Sequence, residues 1–557
     1  MICFNKYRLN SVGYLLSLLL LLQLLGCQQT KLVFTDEQAP ITPSFNQLEG
    51  APQLHKSQPI KRQPQLPQSQ SLESHPAQAQ LNQGIGTWAP QIHSLNTDFT
   101  LHLFPASPSE LNYIELVLIN SDRPFNNIDI LNTALNERAL WLASQHSLSC
   151  IDSLRISARM HSISIKMACP SQEVPQSLSI LNDSWKRSAF EHIDIDNIRR
   201  KLKLNKHINA YSGAEIDKVW AKIILGDKHP YNQALNNQTL QDELTLDTLA
   251  ELQQKMRAGA KWHLFMSLPS NHPVSEPVQA TILTQEDLIE EAERLAKRLT
   301  RSASVTAKEE REAREDARAL VKEARETDIA AEAFINKAKV LYLIDAPSAV
   351  QTQVRVGYRL PLLASSSASN SDTWKNEFSS SHPLSCQLLA DWLGRSFSGR
   401  LYYDLREKRG LTYGIYGRCF DNPQSRTLKY YGSTQVQHTG AFVAGILAHQ
   451  GLTTEQGIGS AELSALKTYE RSKYTLTIQS QHAMKLEYIK QLTLKRSSED
   501  LAHNQMMIKQ LTDKELMQIS QSIFASPPYI LLRGDANKIR QDLTDKLPDW
   551  RIQMIKP

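Results

Sequence analysis

The sequence predicts an α+β protein of two similar halves, each a sheet covered on one face by helices. A helical pattern that leads to a strand occurs at 244–269, where "LTLDTLAEL" precedes "KWHLFMSLP". A matching pattern lies 267 residues later, where "LTDKELMQI" precedes "PYILLRGD". Each half also opens on alternating apolar residues, "YIELVLI" and "VQTQVRVGYRL". Alternation is typical of strands, and the repeated order indicates two duplicated domains.

Shifts in composition divide the chain into five segments. The stretch before the first half is rich in glutamine, proline and serine, so it cannot bury enough apolar surface to fold. Mixed charges at helical spacing, starting at a capping box of Thr284 and Asp287, predict a helical linker between the halves. A partner-binding coiled coil is the alternative for this linker, although its apolar positions do not sustain a heptad. We predict a signal peptide over 1–27, a disordered tether over 28–92, an N-terminal domain over 93–272, a charged helical linker over 273–337 and a C-terminal domain over 338–557.

The N-terminus carries an export signal. Two basic residues precede an apolar run over 14–25, which is shorter than the ~20 residues that a membrane-spanning helix needs. The run ends in "LLGC", which resembles the lipobox of bacterial lipoproteins, where the cysteine, here Cys27, is lipidated and becomes the new N-terminus. Gln28 follows where inner-membrane retention signals carry aspartate. We therefore expect a lipid-anchored periplasmic protein on the inner leaflet of the outer membrane of a Gram-negative bacterium.

The overall charge excludes one class of partner. Lysine and arginine number 62 against 57 aspartate and glutamate, and no long block of one sign occurs outside the charged linker. Nothing in this balance indicates nucleic-acid binding.

The cysteines fit an oxidising compartment. Apart from Cys27 and one cysteine in the signal peptide, four remain, an even number. Cys150 and Cys169 bracket two alternating runs that predict a hairpin with the two cysteines at its open end, so we expect them to pair. Cys386 and Cys419 then pair by elimination. Four buried free thiols are the alternative that the sequence leaves open.

One long motif in the second half resembles a known family. The segment Leu393–Gly417, "LGRSFSGRLYYDLREKRGLTYGIYG", resembles the C-terminal half of the pitrilysin/insulinase family of zinc metallopeptidases, which includes the mitochondrial processing peptidase. In the first half "GDKHPYN" at 226–232 is similar to a turn of the same family. The resemblance implies two metallopeptidase-like domains facing each other across a chamber.

The resemblance also implies a role for Arg406 and Tyr413. In the family the corresponding pair lies opposite the zinc and hydrogen-bonds the substrate backbone, and the tyrosine helps to stabilise the oxyanion. A guanidinium fork and a phenol are suitable donors for charge that develops on a carbonyl oxygen.

The zinc motif of the family is degenerate in this chain. The first half should carry H-x-x-E-H on a helix, but no two of the 16 histidines lie four residues apart. The best alignment places Ala134 and Arg138 on the two histidines and keeps only Glu137. The helix expected to supply the last ligand reads "IRRKLKLNKHINA" and contains no glutamate. We expect this chain to bind no metal, since a fixed cation such as Arg138 repels Zn²⁺.

These observations favour a non-catalytic, substrate-binding subunit of a heteromeric zinc metallopeptidase that acts on peptides in the periplasm. Zinc would then be bound only by a partner subunit that carries H-x-x-E-H. The alternative is a membrane-tethered binding or scaffold protein that uses an inactive peptidase fold. An active peptidase with rearranged ligands is a third possibility.

Overall fold

The chain contains two sheets of six strands, each with helices packed on it. The computed structural model describes residues 89–106, 111–186, 190–210, 213–234, 242–268, 283–301, 339–362, 382–497 and 500–556, with the single residues 315 and 319. Cys27, the signal peptide, nearly all of the tether and most of the linker lie outside the described residues.

The first half supplies one sheet and seven described helices. Its strands are β1 (Gln91–Asn96), β2 (Phe99–Phe104), β3 (Leu111–Ile119), β4 (Arg155–Arg159), β5 (Ser162–Pro170) and β6 (Lys261–Ser267). Its helices are α1 (Ile128–Gln145), α2 (Val174–Trp185), α3 (Ile195–Ala210), α4 (Gly213–Leu225), α5 (Pro230–Ala234), α6 (Leu246–Arg257) and α7 (Gln285–Arg301). The strand order is β1-β2-β6-β3-β5-β4.

The second half supplies the other sheet. Its strands are β7 (Val340–Asp345), β8 (Gln351–Leu360), β9 (Thr412–Asn422), β10 (Ser425–Gln435), β11 (Tyr529–Gly534) and β12 (Arg551–Ile555). Its helices are α8 (Pro383–Gly394), a π-helix (Tyr402–Lys408), α9 (Thr439–Glu455), α10 (Ser460–Ile478), α11 (Gln481–Thr493), α12 (Asp500–Gln510), α13 (Asp513–Ile523) and α14 (Ala536–Lys546). The strand order is β12-β7-β11-β8-β10-β9.

The two sheets have the same internal topology. In the first, β2 pairs with β6 in parallel, and β6, β3, β5 and β4 follow in antiparallel order. In the second, β7 pairs with β11 in parallel, and β11, β8, β10 and β9 follow in antiparallel order. The added edge strand differs, because β1 is antiparallel to its neighbour and β12 is parallel. The predicted α+β fold class is confirmed.

Strand alternation explains which face the helices cover. In β5, Ile163, Ile165, Met167 and Cys169 are buried, and the residues between them are only partly buried. The buried set joins the apolar residues of α1 and α2 in the core of the first half. This is the period-two pattern expected of a sheet with helices on one face.

Each half also sends a helix onto the other half's sheet. Met484 and Tyr488 of α11 pack on Phe104 and Phe265 in the first sheet. In return, Trp220 of α4 belongs to an apolar cluster that includes residues of β7 and β11. We call the sheet face that receives a helix from the other half the inner face. The exchange means that each inner face is turned towards the opposite half.

The structure forms two disulfides, Cys150–Cys169 and Cys386–Cys419, which are the pairs that the sequence predicts. Cys150 precedes β4 and Cys169 lies near the end of β5, so the first disulfide closes the open end of this hairpin. The second joins α8 to β9. No helix within the described ranges is both long and apolar enough to span a membrane.

Candidate functional site

The "LREKRGLTY" motif forms a π-helix, a turn and the start of a strand. After the π-helix, the amides of Gly410 and Leu411 donate to the carbonyls of Arg406 and Leu405, at 3.0 and 2.8 Å. Gly410 has a φ of 61°, a left-handed conformation in which a side chain would be strained. Irregular helices of this kind are frequent at functional sites. The turn lets the chain pass directly from the π-helix into β9.

A buried ionic cluster holds the π-helix in place. Asp404 accepts hydrogen bonds from Arg409 Nε at 2.9 Å and from His449 Nε2 of α9 at 3.0 Å. Burial alone would raise the pKa of Asp404, but these two donors outweigh it and lower that pKa. The Asp404 carboxylate therefore ties the motif to α9.

Arg406 projects from the π-helix with about a third of its side chain exposed. Its guanidinium lies over the ring of the buried Tyr402, 4.6 Å from the centroid. The nearest carboxylate is that of Glu407, 3.7 Å from Arg406 Nε. A stacked guanidinium keeps its in-plane donors available to a ligand.

Tyr413 is the extra residue of a β-bulge. In the pairing of β9 with β10, Thr434 lies opposite Thr412 and Ser433 lies opposite Gly414, so Tyr413 has no partner. The hydroxyl of Thr412 bridges this interruption, donating to the carbonyl of Ser433 and accepting from the amide of Gly414. Tyr413 is 77% exposed. Bulges re-aim side chains, and this one presents the phenol to solvent at a sheet edge.

Close backbone packing fixes the strand that carries Tyr413. A Cβ on Gly417 would lie 2.2 Å from the carbonyl oxygen of Ala390 in α8. A Cβ on Gly394 would lie 2.0 Å from the amide nitrogen of Gly417. Only glycine permits this approach of α8 to β9, which the Cys386–Cys419 disulfide also joins.

The aligned zinc-motif positions lie on α1 and do not form a metal site. Ala134 is buried in the core and carries no donor atom. The carboxylate of Glu137 forms an ion pair with Lys201 of α3 and accepts a hydrogen bond from Asn197 Nδ2 at 3.0 Å. Arg138 is buried, with its guanidinium 4.2 Å from the ring centroid of Trp141.

These residues do not fit zinc. The two positions of the histidine ligands hold a methyl group and a cation, and the position of the catalytic glutamate is neutralised by Lys201. Lys201 and Arg138 would both repel a divalent cation. No group of three His, Cys, Asp or Glu side chains in the described ranges is placed to hold a metal ion.

The turn at 226–232 docks the hairpin that carries Tyr413. The main-chain amide of Gln424, in the β9–β10 turn, donates to Tyr231 Oη at 3.1 Å, and its carbonyl bonds His229 Nε2 at 3.2 Å. Tyr231 Oη also lies 2.7 Å from His161 Nε2. Burial lowers the pKa of His161 to about 4, so this imidazole is neutral near pH 7. The turn therefore couples the two halves at the end of the hairpin opposite to Tyr413.

Arg406 and Tyr413 stay predicted substrate-binding residues, and three other structural features have no signal in the sequence. The bulge at Tyr413 depends on pairing with β10, and no local pattern of the sequence indicates it. The contact of Lys201 with Glu137 joins side chains on two helices, α3 and α1. The contact of the turn at 226–232 with Gln424 joins residues 195 positions apart.

The comparisons with known proteins agree with this geometry. Residues 285–469 match the family model described as the Peptidase M16 inactive domain. The peptidase M16 inactive domain from Pseudomonas fluorescens is 14% identical with a TM-score of 0.60, over 80% of this chain and 97% of that one. The chain has the fold of the M16 peptidases.

Two other solved structures share this fold. A chain of complex III2 from Candida albicans is 10% identical with a TM-score of 0.55, over 81% of this chain and 99% of that one. The periplasmic protease PqqL from Escherichia coli is 11% identical with a TM-score of 0.53, over 86% of this chain and 49% of that one. A search of curated proteins gives no match.

Proposed function

We propose that this chain is the non-catalytic, substrate-binding subunit of a two-chain zinc metallopeptidase. The observation that carries the proposal is an asymmetry between the halves. About a third of the Arg406 side chain is exposed, and Tyr413 on its bulge is 77% exposed. At the aligned zinc position, by contrast, the Glu137 carboxylate is paired with Lys201. One half of a peptidase site is thus equipped for a ligand, and the other is not.

The chemistry of the pair suits a peptide backbone. The guanidinium of Arg406 and the phenol of Tyr413 are donors that bind a peptide carbonyl. A donor aimed at the oxygen where negative charge develops stabilises the transition state more than the ground state. The metal that polarises the carbonyl and activates water would belong to the partner subunit.

The proposed location follows from the N-terminal sequence. Cys27 would carry the lipid anchor, and the segment up to the first strand would hold the folded halves away from the outer membrane on its periplasmic side. The two disulfides support an oxidising compartment. One similar solved structure is described as a periplasmic protease, and another is a chain of a multisubunit complex.

Reconstitution tests the proposal. The chain is purified alone and mixed with an H-x-x-E-H relative from the same organism, and the mixture is studied by size exclusion, metal analysis and hydrolysis of a peptide library. We expect no hydrolysis by the chain alone, and a 1:1 complex with one zinc that cleaves peptides. Arg406→Ala should lower the activity of the mixture at least tenfold, whereas Arg540→Ala, an exposed control on α14, should not change it. A mixture that stays monomeric contradicts the proposal.

The scaffold alternative makes the opposite prediction for the same variants. A protein that keeps this fold only for interactions would form its complexes equally well with Arg406→Ala and Tyr413→Phe. Zinc bound by the chain alone would instead support the peptidase with rearranged ligands.

A further inference from the structure

Part of each inner face is left open beside its edge strand. In the first sheet α11 covers β2, β3 and β6, and the inner-face residues of β4 are exposed. In the second sheet α4 packs on β8 and β11, and Tyr416 of β9 is 40% exposed. Since each inner face receives a helix from the opposite half, both open edges lie on faces through which the halves contact each other.

The open edge of the first sheet carries three cations, of which Lys166 interacts electrostatically with Glu115. Directly opposed strand residues share a face, so Arg155, Lys166 and Glu115 form one row across β4, β5 and β3. Arg159 lies on the same face, four residues along β4. Glu115 is buried and pairs with Lys485 of α11. Among the described residues, no carboxylate forms an ion pair with Arg155, Arg159 or Lys166.

The open edge of the second sheet is also cationic. Arg418 of β9 lies opposite Lys429 of β10, and its guanidinium lies 5.0 Å from the ring centroid of Phe420. Lys429 and Arg355 share a single carboxylate, that of Asp217, at 2.9 and 2.6 Å. Lys429 and Arg355 are buried, so of these three cations Arg418 is the one that this edge exposes.

The geometry of β4 suits an extended ligand. β4 ends the strand order of its sheet in the described residues, and its Ala158 amide already donates to Asn132 Oδ1 of α1 at 3.0 Å, so an added strand would pair with the other backbone groups of this edge. A peptide paired with β4 would place every second side chain on the inner face. Arg155 and Arg159 are four residues apart, about 13 Å along a strand. Acidic side chains four residues apart in such a peptide would each meet one guanidinium.

We propose that the open edge of the first sheet selects acidic peptides. The peptide would bind in extended form along β4, with its carboxylates beside Arg155, Arg159 and Lys166. The inference rests on the proposed substrate-binding function and adds the class of substrate. Arg418, exposed on the edge of the other sheet, adds a further cation on the second inner face. Like-charged, basic peptides are disfavoured by both edges.

Binding of three labelled peptides to the full chain tests this inference. They are 12-residue peptides of one sequence, with glutamate, glutamine or lysine at every fourth position, measured by fluorescence anisotropy at about 50 and 300 mM salt. We expect the glutamate peptide to bind about tenfold more tightly than the glutamine peptide at low salt, and the lysine peptide to bind least. The preference should shrink at high salt because exposed charges are screened.

A pair of triple variants separates a local effect from net charge. Arg155→Gln, Arg159→Gln and Lys166→Gln together should reduce the preference for glutamate to about twofold or less. Lys514→Gln, Arg540→Gln and Lys546→Gln remove the same charge from exposed helical positions and should leave the preference unchanged. Thermal melting confirms that both variants are folded.

Each outcome decides between the two proposals. Equal binding of the glutamate and glutamine peptides overturns the charge selectivity and leaves the substrate-binding function standing. An equal loss of preference in both triple variants also overturns it, because the effect is then one of net charge. Failure to bind any of the three peptides contradicts the substrate-binding function itself.

Discussion

Lys201 shows how a single residue closes a position that a metal site would need. It reaches Glu137 from α3, the helix that the family resemblance implies would carry the third zinc ligand and whose sequence contains no glutamate. The sequence predicts the loss of the ligands from the identities of Ala134 and Arg138 alone. It does not predict what replaces them, because the Glu137–Lys201 contact joins side chains on two separate helices.

A second buried cluster in the other half gives a prediction for pH. Glu470 of α10 hydrogen-bonds Asp391 of α8, and Lys473 Nζ lies 2.7 Å from Asp391 Oδ2. Burial and the neighbouring Asp391 raise the pKa of Glu470 to about 8, against 4.5 ordinarily. The folded state therefore keeps a proton that the unfolded state releases. Its contribution to stability is fully present below about pH 4.5 and is lost as the pH rises through about 8.

Replacing Glu470 by glutamine should remove this dependence. The amide is neutral at every pH, so Glu470→Gln should reduce the fall in the free energy of unfolding between pH 5 and 9 by at least about 1.4 kcal/mol, the value of one pKa unit. Urea denaturation at pH 5, 7 and 9 measures this difference. Glu455→Gln, at the exposed end of α9, should retain the wild-type profile. A wild-type profile in Glu470→Gln would show that Glu470 does not hold the proton.

At the scale of elements, the packing of α8 on β9 positions Tyr413. Gly417→Ala should destabilise the protein by about 2 kcal/mol or more, because the new methyl group meets the backbone oxygen of Ala390 at 2.2 Å. Gly451→Ala is the matched control, since its Cβ would have no atom within 4 Å in the helix α9. It should leave stability unchanged or raise it by up to about 1 kcal/mol. Equal melting temperatures for the two variants would refute this account of the α8–β9 contact.

The elements differ in how far the sequence could predict them. The repeat at an offset of 267 residues is borne out by α6 and α13, at Leu246–Arg257 and Asp513–Ile523, and by β6 and β11 after them. Local periodicity determines such elements. The π-helix at Tyr402–Lys408 and the bulge at Tyr413 could not be predicted in this way, because both depend on packing against α9 and β10.

At the scale of the whole molecule, the exchange of helices binds the halves together through a buried charge pair. Lys485 and Glu115 are 7% and 4% exposed. Lys485→Met should lower the free energy of unfolding by about 3–5 kcal/mol, because it leaves the Glu115 carboxylate buried and unpaired. Lys490→Met removes an exposed pair from the same helix and should cost less than about 1 kcal/mol. The double variant Glu115→Gln with Lys485→Met should recover part of the loss, and no recovery would indicate that packing alone is responsible.

The exchange itself was beyond sequence reasoning. The sequence indicates two halves of one fold. The contacts of α4 and α11 join residues from opposite halves, and the local periodicity of the sequence does not indicate such contacts. α4 and α11 leave the inner-face residues of β4 and β9 exposed. The acidic-peptide selectivity that we propose therefore depends on the assembled molecule and on no single element.

The central claim is that Tyr413 acts on a substrate whose metal is supplied by another chain. The most direct measurement is the steady-state rate of peptide hydrolysis by the 1:1 mixture with a zinc-bearing relative, comparing Tyr413→Phe with Tyr474→Phe. Tyr474 is buried in α10 and its hydroxyl has no hydrogen-bond partner among the described residues, so its variant controls for loss of a phenol oxygen. We predict a fall in kcat of about a hundredfold for Tyr413→Phe, with KM changed much less, and no change for Tyr474→Phe. An unchanged kcat for Tyr413→Phe in an active mixture would contradict the account.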